Sequence, residues 1–440
     1  LEQKIILITG ATGYIASRLI PRLLEAGYRV RCLARQPERL HRRKWFPHVE
    51  MIAGDVVRPE TLPSAMHGVM SAYYLIHSME AGRDYDRIDL QAARNFANAA
   101  RDAGVGHIIY LGGLANENEN LSLHMRSRIE TGAALREAGV PVTEFRAGVI
   151  IGPGSVSFEM IRFIAEQFPL MVGPIWLKNK SQPIAATSVL DYLVAALIEP
   201  ACRGKTIEIG GQDVMTYAES MSRYSELRGL KRRTLLLPFI PIWVMANFIH
   251  KLTPVHISYA FPLVAGLKND SIIRDKIPEG LFSEIRVLTY TESVRRALTD
   301  LHPDTVERVW LDLERDRIRI KHEGMFIDYA RTRINAPAET AFAMLCQMSN
   351  AGSRVLNSYH IEIMDGFCLR LRSGRKAPGE GWLEWQVIPG ENGCILEQTT
   401  FFAPKGLRGF LYWYLLHPCH RTAFDRRAKA LIEWGKGAKA

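Results

Sequence analysis

Cysteine is scarce in this 440-residue chain: the six, at Cys32, Cys202, Cys346, Cys368, Cys394 and Cys419, form no CxxC pair and no other metal-ligand spacing. Their scatter excludes a disulfide-stapled scaffold and a thiolate zinc site, and it fits a reducing compartment. His417, Cys419 and His420 sit close together, but His417 and Cys419 flank Pro418 and no partner set accompanies them, so no metal is expected. Long apolar runs are missing as well. The most apolar stretch, Leu235–Ile249, is broken by Pro238 and Pro241 and falls short of the roughly 20 residues that a spanning helix requires. It is expected to form a buried helix beside a substrate, with a helix resting on a membrane surface as the rival reading. The start of the chain has no charged segment leading into an apolar run and a small-residue cleavage site. A cytoplasmic location is therefore expected, with association at a membrane left open. Repeats and low-complexity tracts are absent, which excludes solenoids. Acidic residues are the minority charge, 46 against 56 Lys and Arg, for a formal net charge of +10. The densest early basic cluster is Arg39, Arg42, Arg43 and Lys44. Neither a nucleic-acid module nor an aromatic–basic stacking pattern goes with it, so a solvated basic face is expected and nucleic acid is not.

What is present is concentrated near the start. Lys4–Ile8 is a short apolar run of the kind that forms a buried parallel strand, and Tyr14–Ala26 carries apolar residues at helical spacing up to Gly27. Between them runs Thr9-Gly10-Ala11-Thr12-Gly13-Tyr14-Ile15-Ala16. Gly10 can turn the chain tightly, Gly13 lets backbone approach a diphosphate, and Ala16 is small enough for close helix–strand packing. The first turn of the helix then offers free N–H groups and positive potential to an anion. The spacing, GxxGxxA, predicts a cradle for a dinucleotide.

From Ile5 to about Gly211, apolar runs at Arg29–Leu33, Val49–Ala53, Ala72–Ile76, His107–Leu111, Pro141–Arg146 and Thr206–Ile209 alternate with helical patterns. That order predicts a doubly wound parallel α/β sheet, whose ligands lie beyond the carboxyl ends of the strands. Arg35, Asp55, His77 and Gly112 fall there. Arg35 follows the second strand, where an arginine favours a ribose 2′-phosphate, so NADP is preferred over NAD. A dinucleotide domain is expected over residues 1–305, with a substrate-side subregion at about 212–300. The charged run Asp312–Lys321 reads as a solvated helix or linker within 306–322. The remainder, 323–440, is expected to be a smaller α+β domain: a strand at Phe326–Ile334, a helix starting at Ala336–Glu339, a hairpin turning at Pro389–Gly393, and an amphipathic helix over Leu407–Trp434.

Five stretches in order, TGATGYIA at Thr9, AGDV at Ala53–Val56, FRAGVIIGPGS at Phe145–Ser155, QPIAATSVLDYLVAAL at Gln182–Leu197 and TIEIGG at Thr206–Gly211, resemble the extended and atypical branches of the short-chain dehydrogenase/reductase superfamily. YLIHSM at Tyr74–Met79, with the stretch from His124 to Ser155, looks more narrowly like bacterial proteins that join an atypical reductase domain to a C-terminal domain. INAPAETAF and FAPKGLRGFLYWYLLHP in that last domain resemble a helix-grip, START-like fold, with Phe410, Tyr412, Trp413 and Tyr414 as core or as the lining of an apolar cavity. The resemblance implies cofactor contacts from Gly10, Thr12, Gly13, Tyr14, Ile15, Asp55, Val56 and Gly112, alongside Arg35. It also implies a proton-donating tyrosine with a lysine four residues later; here those positions are His124 and Arg128, and the assisting serine falls at Gly112 and Gly113. His124, Arg128 and His77 are accordingly the candidate catalytic residues. The expected function is reduction of an apolar, carbonyl or quinone substrate at the expense of NADP(H). Alternatives are a redox sensor that binds NADP(H) without turnover and a lipid or quinone carrier at a membrane surface.

Overall fold

The computed structural model describes residues 4–78, 84–277, 280–313, 315–350, 359–374 and 377–437. Seven parallel strands build the central sheet: β1 (Ile5–Thr9), β2 (Arg29–Ala34), β3 (Glu50–Ala53), β4 (Val69–Tyr74), β5 (His107–Gly113), β6 (Val142–Ala147) and β7 (Thr206–Ile209), in the order β7-β6-β5-β4-β1-β2-β3. The order reverses beside β1, so a crevice opens where β1 and β4 part company at their carboxyl ends. Period-two alternation buries both faces. Ile6 and Ile8 pack with Leu19, Ile20 and Leu23 of helix α1 (Tyr14–Glu25), while Leu7 faces the opposite layer with Ala93, Phe96 and Ala97 of α2 (Tyr85–Asp102). Helix α3 (Leu123–Arg136) follows β5, and Ser122 caps it by accepting from Met125 N–H. Thr9 Oγ1 donates to Tyr73 O (3.0 Å) and accepts from Leu75 N–H (3.2 Å), tying the end of β1 to the end of β4.

The Leu235–Ile249 stretch is not one buried helix. A strand, Arg233–Leu237, pairs in parallel with Leu170–Pro174, and only after Pro241 does α4 (Ile242–Leu252) begin, packed on α5 (Ile257–Gly266). Pro238 and Pro241 break the helical pattern at the point where proline removes backbone donors. Only one side of α4 is buried, through Met245, Ala246 and Ile249.

Two compact units are present: the first takes Leu1–Arg162, Leu170–Leu227 and Arg233–Asp300, and the second Phe163–Pro169, Arg228–Arg232 and Leu301–Ala440. The second unit is an antiparallel sheet of β8 (Arg317–His322), β9 (Met325–Ile334), β10 (Tyr359–Asp365), β11 (Cys368–Ser373), β12 (Gly379–Gly390) and β13 (Gly393–Pro404), in the order β8-β9-β13-β12-β11-β10. It carries α6 (Ala338–Asn350) and the long α7 (Gly406–Gly437). The charged run read as a helix or linker contains β8 instead. In Arg-Ile-Arg-Ile-Lys-His, basic residues alternate with isoleucine, Ile318 is buried while Arg317 and Arg319 are exposed, and charge on the outward face suits an edge strand. Trp413 of α7 stacks on Phe326 and Phe402 with ring centroids 5.2 and 5.6 Å apart, packing the helix on the sheet. The apolar cleft left beside Trp382, Phe402, Tyr412 and Trp413 measures about 30 Å³, room for water rather than for a lipid chain. His417, Cys419 and His420 have side chains outside the described residues.

Candidate active site

Gly10 is the first fixed point. It adopts φ +73°, and a Cβ there would lie 2.6 Å from the Leu75 carbonyl oxygen, so no other residue fits the turn. The turn closes through Gly13 N–H donating to Gly10 O at 2.7 Å. Gly13 is the N-cap of α1 and offers no side chain to its first turn, which also holds no acidic residue. Exposed Thr12 and the opening amides of α1 at Tyr14 and Ile15 thus form an anion-binding end with a close backbone approach. The Ile15 side chain packs toward the core. Tyr14 lies beneath the Arg18 guanidinium (4.1 Å to the ring centroid), and a Cβ at Gly152 would lie 2.3 Å from its hydroxyl. The Gly-rich stretch at Gly152 therefore folds over the start of α1. These residues fit a dinucleotide diphosphate.

Arg35 is exposed one residue past β2, beside the turn, because Thr9 and Leu33 are register partners. Asp55 Oδ1 accepts from Val57 N–H (3.0 Å), so its carboxylate also holds its own turn. The Val56 side chain belongs to the core and its carbonyl accepts from Asn95. At Gly112 a Cβ would meet Glu144 Oε1 at 3.0 Å, and at Gly113 it would meet Met125 Cε at 2.8 Å. A side chain at either position would have to displace the tip of Glu144 or of Met125.

His77 and His124 come together three residues beyond β4 and at the start of α3. His77 Nδ1 is 2.6 Å from Asp89 Oδ2, and His77 Nε2 is 3.0 Å from His124 Nδ1. Asp89, on α2, also accepts from Ser78 N–H (2.8 Å) and Ser127 Oγ (3.4 Å). A carboxylate only accepts, so His77 Nδ1 donates to it; in the neutral pair His77 Nε2 then accepts from His124 Nδ1–H. Burial lowers the pKa of His77, with Asp89 opposing and the Arg128 charge adding to the effect. Burial, His77 and Arg128 together hold His124 well below its ordinary value. For Asp89, burial alone would raise the carboxyl, but the hydrogen bonds and charge of His77 and the donors at Ser78 bring it below the usual range. Arg128 is committed elsewhere: Nη2 donates to Leu111 O, and the guanidinium lies 5.1 Å from the Tyr110 ring centroid. It is a fixed positive charge behind the histidines and not a proton donor.

The strand-end position brings out His77 and the family resemblance brings out His124 and Arg128, but neither reaches Asp89 or Ser127. Nothing local marks Asp89; it reads as one more polar residue on a helix, and only the packing of α2 against α3 carries it to His77. The cradle and the histidine pair are neighbours, since Leu75, which closes over Gly10, is two residues from His77.

A family model described as NAD(P)H-binding matches residues 10–139, and one described as a protein of unknown function (DUF2867) matches 360–426. The photosystem II assembly factor Ycf39 of Trieres chinensis is 26% identical over 244 residues, covering 53% of this chain and 72% of that protein. The (4-alkanoyl-5-oxo-2,5-dihydrofuran-3-yl)methyl phosphate reductase of Streptomyces griseus is 30% identical over 231 residues, covering 51% of this chain and 74% of the relative. Among solved structures, the triphenylmethane reductase of Citrobacter sp. complexed with NADP(H) superposes with a TM-score of 0.53 at 21% identity, over 66% of this chain and 99% of that one. With the glycine cradle, the strand order and these relatives in agreement, the chain belongs through its first unit to the NAD(P)H-binding Rossmann reductases of the atypical short-chain dehydrogenase/reductase family.

Proposed function

We propose that the chain is an NADPH-dependent reductase of an apolar carbonyl- or quinone-type acceptor, in which His124 transfers the proton and His77 and Asp89 stand behind it. The observation that carries this reading is the hydrogen-bonded series Asp89–His77–His124 beside the glycine cradle. Gly10, Thr12, Gly13, Tyr14 and Ile15 would hold the diphosphate, Arg35 the 2′-phosphate, and Asp55, Val56 and Gly112 the flanks. Bound there, NADPH supplies the hydride.

The protein's part is the proton. In the charged relay, His77 bears protons on both nitrogens beside the Asp89 carboxylate, and His124 bears one on Nε2. As His124 Nε2–H passes to a developing oxyanion, His77 Nε2–H moves to His124 Nδ1, and His77 remains neutral, still donating to Asp89. One proton leaves the relay and solvent restores it. Because burial holds both rings below the ordinary histidine range and so neutral at rest, reduction should quicken only as pH falls to the acid side of that range, where the charged relay fills. The resting pair is a base, which suits the reverse direction at higher pH.

The second unit is proposed to be a START-like helix-grip domain; its antiparallel sheet under a long C-terminal helix supports that reading. Free thiols at Cys32, Cys202, Cys346, Cys368 and Cys394 support a reducing, cytoplasmic setting.

NADPH absorbance followed against a panel of quinones and aldehydes tests the function. Turnover should drop by about 10²–10⁴ in His124→Ala. Asp89→Asn should lower kcat by roughly tenfold or more, leave the KM for NADPH unchanged, and change the acid rise of the pH profile. Tight NADPH binding with no turnover on any acceptor would make the protein a sensor instead.

A further inference from the structure

No acidic residue occurs between Glu166 and Asp191, nor again between Glu226 and Asp270. The strands Leu170–Pro174 and Arg233–Leu237 and the helices α4 and α5 all fall inside these two windows. Parallel pairing sets Val172 against Leu235 and Leu170 against Arg233. Alternation then turns Leu170, Val172, Leu235 and Leu237 to one face, where they are 50%, 41%, 46% and 38% exposed. The chain runs on through Pro238 to Phe239, 92% exposed, and α4 presents Trp243, 63% exposed, on the side away from its buried Met245 and Ile249. Arg233 and Lys251 are exposed on these elements, and Lys178 and Lys268 in the segments that directly follow the first strand and α5.

Large apolar side chains left exposed this densely along one stretch of chain mark a partner. Charge decides which one. A second copy would bring cation against cation, whereas an anionic bilayer offers an apolar phase to Phe239 and Trp243 and negative headgroups to the lysines and Arg233. Among the described residues no helix is long and apolar enough to cross a membrane, so the contact is with a surface. We propose that this face docks the chain peripherally on an anionic lipid bilayer, Phe239 and Trp243 entering the boundary between headgroups and acyl chains. Helix α5, packed on α4, ends beside the start of α3: a Cβ at Gly266 would lie 3.8 Å from Met125 Cγ and from Ser122 Oγ, on either side of His124 in sequence. An acceptor dissolved in the lipid would thus have a short route to the relay. The docking itself does not depend on the reductase reading.

Flotation of the full chain with vesicles of phosphatidylcholine, alone or mixed with phosphatidylglycerol, tests the proposal. The protein should float with the anionic vesicles, be released by high salt, and bind roughly tenfold or more weakly as Phe239→Glu/Trp243→Glu. That variant should keep the wild-type melting temperature, since both side chains stand mostly in solvent. Absence of flotation on anionic vesicles overturns the proposal, as does equal flotation of the double variant. Self-association in sedimentation that the double variant abolishes would give the face to a second copy and also overturns it.

Discussion

His107 has its protonation state set by two neighbours. Thr143 Oγ1 donates to the Cys202 carbonyl (2.8 Å), so at 2.8 Å from His107 Nε2 it accepts, and the ring carries its single proton on Nε2. Nδ1 is buried with no partner to receive a second proton. Burial, with Arg203 nearby, pushes the pKa down to about 4. In the unfolded chain the same ring titrates near 6.5, so between 6.5 and about 4 the unfolded state binds more protons and stability falls as pH falls. At pH 5 the loss from this one ring is about 2 kcal/mol, and at pH 7 it is close to zero. His107→Gln keeps a donor for Thr143 and cannot take the extra proton. Urea midpoints at pH 7 and pH 5 should therefore show the variant losing about 2 kcal/mol less than wild type; parallel losses would refute the buried neutral state. His77 and His124, also lowered, act in the same direction.

Helix α3 contains a glycine that helix propensity argues against. Gly132 sits in its third turn, where exchange for alanine on an open helix is worth about 1 kcal/mol of stability. A Cβ here would stand 2.4 Å from Glu144 Oε2 and 2.7 Å from its Cδ. That carboxylate is buried on β6 and cannot swing aside, because Arg136 holds one oxygen and Arg146 Nε the other at 2.7 Å. Gly132→Ala should consequently destabilise by about 2 kcal/mol through the disturbed buried ion pair, read as a lower melting temperature; a rise would show that Glu144 is free to move. This conflict is invisible in sequence, where Gly132 is one glycine among many and Glu144 a polar residue in a strand. The strands themselves are legible, because Lys4–Ile8 and His107–Leu111 are apolar runs too short for helices and are flanked by turn residues. Arg-Ile-Arg-Ile-Lys-His resists such a reading because its charge masks a period of two. Leu235–Ile249 misleads in the opposite way, its many apolar side chains suggesting one buried helix where two prolines impose a strand, a turn and a later helix start.

The second unit draws on two short stretches, Phe163–Pro169 and Arg228–Arg232, that lie well before the bulk of it in sequence. Phe163 packs its ring on Phe410 (5.6 Å between centroids) and Phe326 (6.5 Å). Glu166 is fully buried; it accepts from Arg228 Nε and from the Gly406 N–H at the start of α7, both at 2.6 Å. Arg232 Nε reaches the Ala165 carbonyl at 2.6 Å. An acceptor on the first free amide of a helix, near its positive end, does the work of a cap, and here the cap comes from 240 residues away. No local pattern can announce it, which is why the cradle, written in eight consecutive residues, is readable and this anchor is not. A fragment of residues 301–440 lacks Phe163, Glu166 and Arg228, leaving the α7 amide uncapped and the edge contacts of Phe163 with Phe326 and Phe410 unmade. It should show helix and strand by circular dichroism yet melt without a cooperative transition. Within the full chain, Glu166→Ala should cost about 2–3 kcal/mol, since it takes the carboxylate from the part-buried Arg228 guanidinium and uncaps α7, and hydrogen exchange should locate the loss in α7 and β13. A fragment that melts cooperatively would show that the sheet and α7 suffice by themselves.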